Sequence, residues 1–315
     1  MTSMTNQPKF RGHGIADRLL LTKHMGGRMQ NTITDRSLTQ DILDASGADK
    51  DAVAGKKVLF DILTLSPVTT PYNQTRTYTS EMTMPWGKSG WRCIAVGKYE
   101  DYIAKQNTKF MELDIAVEAF ADNIEGHIQA QQRRLGSLWR YEDYPTADEF
   151  RSYWHHKIET DQVASTDVRA KVDAAQRGDI EMQIKSRLAE QFSSVWQEAA
   201  ERLAASVQHV AKILNSDGAN GKRRSPVNLT LIENLRTQVE VTREMAVAVD
   251  DTNLLNLTRE VEEKLLQIPA EQLAANEGVK ATVGKEAEFL ATRAAREVVA
   301  VDKRVQDMLT EFSEY

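Results

Sequence analysis

The chain has 315 residues, 41% hydrophobic and 27% charged, which excludes a disordered segment and fits about two domains of roughly 150 residues each. Net charge is −6 but uneven: residues 1–95 hold 12 Lys and Arg against 8 Asp and Glu, whereas the remainder holds 28 against 38. An excess of four positive charges is far from the footprint of a dedicated duplex-DNA binder, and a single cysteine, Cys93, excludes an internal disulfide.

Met1 to Gly14 is polar, so no secretory signal is expected there, and apolar runs such as Leu19-Leu20-Leu21 and Val298-Val299-Ala300-Val301 are too short to span a bilayer. A cytoplasmic protein that does not enter a membrane is expected. Leu19-Leu20-Leu21 leads to Gly26-Gly27 and predicts a strand ended by a glycine turn. Thr34 to Ala45 predicts a short helix with Thr34 as N-cap. Val58 to Leu63 is a second apolar segment, with Ser66-Pro67 as its stop. Arg76 to Met84 alternates with a period near two, and the Pro85-to-Gly90 turn followed by Trp91 to Val96 completes a predicted β-hairpin.

From Tyr99 the period changes to three and four: Ile103, Phe110, Leu113, Val117, Phe120, Ile124, Ile128, Leu135 and Leu138 predict one helix of about 40 residues, roughly 60 Å long. Tyr144-Pro145 is its expected end. Thr146 and Glu149 form a capping-box signature opening a helix through Ile158. A second long stripe follows Gly178, from Ile180 and Ile184 through Leu188, Phe192 and Val195 to Leu214. Ser225-Pro226 starts a third helix, Asp251 a fourth that breaks at Pro269, and a last stripe runs from Val283 to Phe312.

The expected fold is therefore mainly α: long amphipathic helices in an antiparallel bundle or a coiled-coil-like hairpin, residues 96–315, with a loop at 215–225. A small α+β module, residues 1–95, precedes them. The long stripes are expected to pair with one another.

Chemistry is sparse in the sequence. Cys93 lies in an apolar context with no histidine near it in sequence, which favours a small buried side chain over a nucleophile. His155 and His156 are adjacent, point about 100° apart on a helix, and cannot chelate one metal as an i, i+4 pair does. Gly221-Lys222 lacks the glycine of a phosphate-binding loop. No catalytic residue, metal or cofactor is expected. Two sets remain as contact candidates. Tyr72, Arg76, Tyr78, Trp86, Lys88, Trp91 and Arg92 interleave aromatic rings with cations, a pattern that stacks single-stranded bases or, more simply, forms the core and rim of a small β-module. Lys222, Arg223 and Arg224 form a basic loop that could meet phosphate or only solvent.

Several anchors occur in order: Leu19-Leu20-Leu21 with Gly26-Gly27-Arg28, Ser66-Pro67, Met84-Pro85-Trp86, Gly90-x-Arg92, Tyr99, Leu135-Gly136 and Asp143-Tyr144-Pro145. Over about residues 15–250 they resemble a family of uncharacterised bacterial and phage helical proteins often encoded beside a MoxR-type AAA+ ATPase and a von Willebrand A-domain protein. The resemblance implies a phage-encoded, non-catalytic adaptor in the bacterial host cytoplasm, with one of those proteins as partner and with self-association open to its helices. It supplies no site residues. Two alternatives stand beside it: a single-stranded nucleic-acid binder acting through the N-terminal module, and a virion structural or assembly component.

Overall fold

The computed structural model describes residues 17–87, 90–163, 174–215 and 229–313. Helix dominates, as the stripes predict. Strand β1 (Leu19–Gly26) follows the first apolar run. Strand β2 (Thr32–Thr34) pairs antiparallel with β3 (Lys56–Val58), Thr32 opposite Val58. Helix α1 (Arg36–Ser46) lies between them, and its N-cap is Asp35 rather than Thr34. The Asp35 carboxylate accepts from the Leu38 N–H and brings negative charge to the positive end of the helix, whereas Thr34 closes β2.

Helix α2 (Ile62–Met82) departs furthest from expectation, because Pro67 and Pro71 lie inside it instead of stopping it. Pro67 cannot donate to the Leu63 carbonyl; the Ser66 hydroxyl donates there instead, at 2.9 Å. Asp61 starts the helix by accepting from the Thr64 N–H (2.9 Å) and hydroxyl (2.7 Å). Leu65, Val68, Tyr72, Thr75 and Thr79 are buried at helical spacing, so Arg76 to Met82 belongs to a helix and not to a hairpin strand. The hairpin is β4 (Met84–Trp86) with β5 (Trp91–Ala95), Trp86 opposite Trp91, and β5 also pairs antiparallel with β1.

Two helices, α3 (Val96–Asp122) and α4 (Ile124–Leu135), replace the single one expected, with a break at Asn123. The second ends at Gly136, whose φ of 55° suits a residue without a Cβ, well before Tyr144-Pro145. Helix α5 (Ala147–Tyr153) opens on the full Thr146–Glu149 capping box but stops at Trp154. Ile158 lies in strand β6 (His156–Gln162), which joins a sheet of order β4-β5-β1-β6.

Helix α6 (Ala174–Leu214) begins before Gly178 and is 41 residues long. Helix α7 (Leu229–Ala248) follows, then α8 (Thr252–Val261), capped as expected by Asp251, which accepts from the Asn253 and Leu254 N–H groups. A π-helical turn (Glu262–Leu266), α9 (Ala270–Ala275) and α10 (Glu277–Ser313) complete the chain. Ser225-Pro226 and most of the 215–225 loop lie outside the described residues.

The chain forms two compact units, each assembled from separated segments, and the division does not fall at residue 95. One comprises Met1–Lys23, Ser80–Tyr102 and Thr160–Tyr315. In it the hairpin side chains Leu19, Met84, Trp86 and Cys93 pack with Leu188, Phe192 and Val195 of α6 and Met245 of α7. A larger core joins the later part of α6 to α7, α8 and α10 through Leu203, Val207, Leu235, Leu254 and Leu290. The other unit comprises His24–Thr79 and Ile103–Glu159, with a core of Phe60, Val68, Leu113, Val117, Phe120, Ile128 and Phe150. Phe120 stacks on Phe150 at 4.4 Å and meets Phe60 edge-on at 5.3 Å. The α3 stripe and the α6 stripe are both buried, as expected, but in different cores and not against each other.

Candidate functional site

The aromatic and cationic set divides between the units. Tyr72 and Tyr78 are buried on α2, whose exposed Arg76 donates to the Tyr72 hydroxyl at 3.2 Å; Lys109 lies 5.5 Å above the Tyr78 ring. In the other unit Trp86 is only 6% exposed, and its ring meets Phe192 edge-on at 5.3 Å. Trp91 is half-buried beneath the Lys23 ammonium, 5.8 Å from its centroid. Arg92 donates to the Thr83 hydroxyl (2.5 Å) and to the Thr83 and Ser80 carbonyls. Arg202 of α6 donates to the same two carbonyls. Two guanidiniums thus close the negative end of α2, and burial together with the facing Arg202 pulls Arg92 below the usual arginine pKa. Rings as buried as Tyr72, Tyr78 and Trp86 offer a base no open face to stack on. Lys88, Lys222, Arg223 and Arg224 lie outside the described residues.

His24, His155 and His156 belong to the unit that holds Tyr72 and Tyr78. His156 stacks on Phe110 at 4.0 Å and pairs with Asp114 at 2.9 Å, while His24 meets the same phenylalanine at 5.4 Å. Burial, then the charges of Arg76 and His156, lower the His24 pKa to about 4. The Gly27 N–H donates to the His155 carbonyl at 2.9 Å; a Cβ on Gly27 would fall 2.1 Å from the His155 ring, so only glycine permits this approach. Among the described residues no three His, Cys, Asp or Glu side chains converge as metal ligands. Cys93 is fully buried, and burial pushes its thiol well up, as expected of an inert core cysteine.

Lys57 is a buried cation that carried no signal in the sequence. Its ammonium pairs with Asp143 and with Asp35 (3.1 Å) and donates to the Leu138 carbonyl at 2.7 Å. Burial opposes its charge, but the hydrogen bonds to Asp143 and Asp35 outweigh burial and hold the pKa above the usual lysine value. Every partner is structural, and the arrangement clamps the loop after α4 to the β2–β3 pair.

An open groove of about 1150 Å³ runs along α6 and α10. Ala204, Ala211, Ala291 and Ala295 line it together with His209, Lys212, Glu288 and Arg296. Small side chains bring a partner backbone close, as a neighbouring helix requires. No family model, curated protein or solved structure matches the chain. No helix among the described residues is long and apolar enough to cross a membrane.

Proposed function

We propose that the protein is a non-catalytic interaction protein, an adaptor whose long helices receive a helix of a protein partner. The open groove along α6 and α10, lined in part by alanines, carries this reading. The two helices are read as an antiparallel, coiled-coil-like pair. Supporting that pairing, Asn215, just past the end of α6, donates to the Gly284 carbonyl near the start of α10, whereas Arg304, late in α10, lies over Trp196, earlier in α6. The family resemblance supplies the partner class, an AAA+ ATPase of MoxR type or a von Willebrand A-domain protein, and the setting, the cytoplasm of a phage-infected bacterium. Burial of Tyr72, Tyr78 and Trp86 weighs against the same rings serving single-stranded nucleic acid.

The test is Ala295→Trp, which fills an exposed position of the groove without entering the core. Affinity for the proposed partner, a MoxR-type ATPase or a von Willebrand A-domain protein, is expected to fall about tenfold or more, the scale of a lost interface anchor, with an unchanged melting curve. Undiminished affinity would remove the groove from the proposal.

A further inference from the structure

Ile62 and Leu63, the first two residues of α2, are each 84% exposed, more than any other large apolar side chain described. Consecutive helix positions point about 100° apart, so together they present a broad apolar step. Val58 adds to it: strand alternation turns Lys57 inward and Val58 outward, where it is 40% exposed.

Arg134, near the end of α4, is tied to the same place. It donates to Gln131 Oε1 at 2.6 Å and to the Val58 and Leu59 carbonyls at 2.5 and 3.0 Å. Gln131 in turn donates to Asp61, beside Ile62. All three acceptors of Arg134 are neutral, and among the described residues no carboxylate lies within ion-pair distance of it, of Arg133 or of Lys56, all exposed. The Asp61 carboxylate is occupied by Thr64 and Gln131. An immobilised guanidinium with its Nη1 edge unused takes a carboxylate at little entropic cost.

We infer that Val58, Ile62, Leu63 and Arg134 form a docking surface for an acidic amphipathic helix of a protein partner. Aliphatic side chains three or four residues apart on that helix cover Ile62 and Leu63, and a Glu or Asp between them meets Arg134. Charge complementarity selects this occupant. A second copy across a two-fold axis would bring Arg134 and Lys56 against their own like charges. Anionic lipid is normally read by clusters of about four to eight cations, more than stand here. The inference rests on the interaction reading but names a surface on other elements, so either can fail alone.

The full chain serves as bait for a displayed library of random 12-residue peptides, and enriched peptides are then titrated against variants. Expected are peptides with aliphatic pairs at helical spacing and an acidic residue, weakened about tenfold by Leu63→Asp, severalfold by Arg134→Lys, and not by Ala295→Trp. Failure to enrich any such peptide, or equal binding by Leu63→Asp, overturns the surface. Peptides lost only in Ala295→Trp overturn it while leaving the adaptor reading intact. Binding of the wild type, but not of Leu63→Asp, to phosphatidylserine vesicles would reassign the surface to lipid. Self-association abolished by Leu63→Asp in sedimentation would reassign it to a second copy.

Discussion

Lys57 keeps its charge away from water because Asp35 and Asp143 face it, so removing the ammonium strands two carboxylates. Lys57→Met is expected to cost about 3–5 kcal/mol, the range for breaking a buried ion pair from one side, measured by urea unfolding at pH 7. His24 acts in the opposite sense, being held neutral. Its folded pKa is lowered to about 4, so between that value and the unfolded value of about 6.5 the unfolded chain binds the extra proton. Stability from this group is complete above about pH 6.5 and is lost as pH falls toward 4. The urea midpoint should drop between pH 7 and 4.5, and His24→Gln should flatten that drop; an unaltered profile in the variant would assign the loss to other groups.

The helices are held by cores confined to one unit or the other. Phe120 of α3 is 3% exposed, between Phe60 and Phe150, and Phe120→Ala is expected to cost about 3–5 kcal/mol in denaturant unfolding. A shift below about 1 kcal/mol would place that face outside the core. These stripes were legible in the sequence because Leu113, Val117, Phe120 and Ile124, like Leu188, Phe192 and Val195, are apolar at three- and four-residue steps. Helix α2 was not legible: its buried face includes Thr75 and Thr79, and two prolines interrupt it, so local rules read a stop where Ser66 rescues the carbonyl. Strand β6 was missed because its sequence offers one aliphatic residue, Ile158, and its place comes from sheet pairing far along the chain. At the candidate sites the residue types were visible but their partners were not. Trp86 and Arg92 look like surface anchors until Phe192 and Thr83 are placed beside them, and Arg134 gains meaning only from Val58. The one local signal for the Ile62–Leu63 step is the Asp61–Thr64 cap that starts a helix there.

At the scale of the whole chain, the hairpin is not self-sufficient. Leu19, Met84, Trp86 and Cys93 complete their core with Leu188, Phe192, Val195 and Met245, about 90 or more residues further along. A fragment of residues 1–95 should therefore stay unfolded, with weak helical circular dichroism and no cooperative melt, whereas a cooperative transition would show that it closes on itself.

The proposed adaptor contacts protein and not nucleic acid. The direct measurement titrates the full chain, wild type and Ala295→Trp, with a single-stranded oligonucleotide and with a MoxR-type ATPase and a von Willebrand A-domain protein, the proposed partners, across a series of salt concentrations. The account predicts a protein complex whose affinity changes little with salt and falls in Ala295→Trp. Tight oligonucleotide binding that declines linearly in log–log with salt, with neither protein retained, would contradict it.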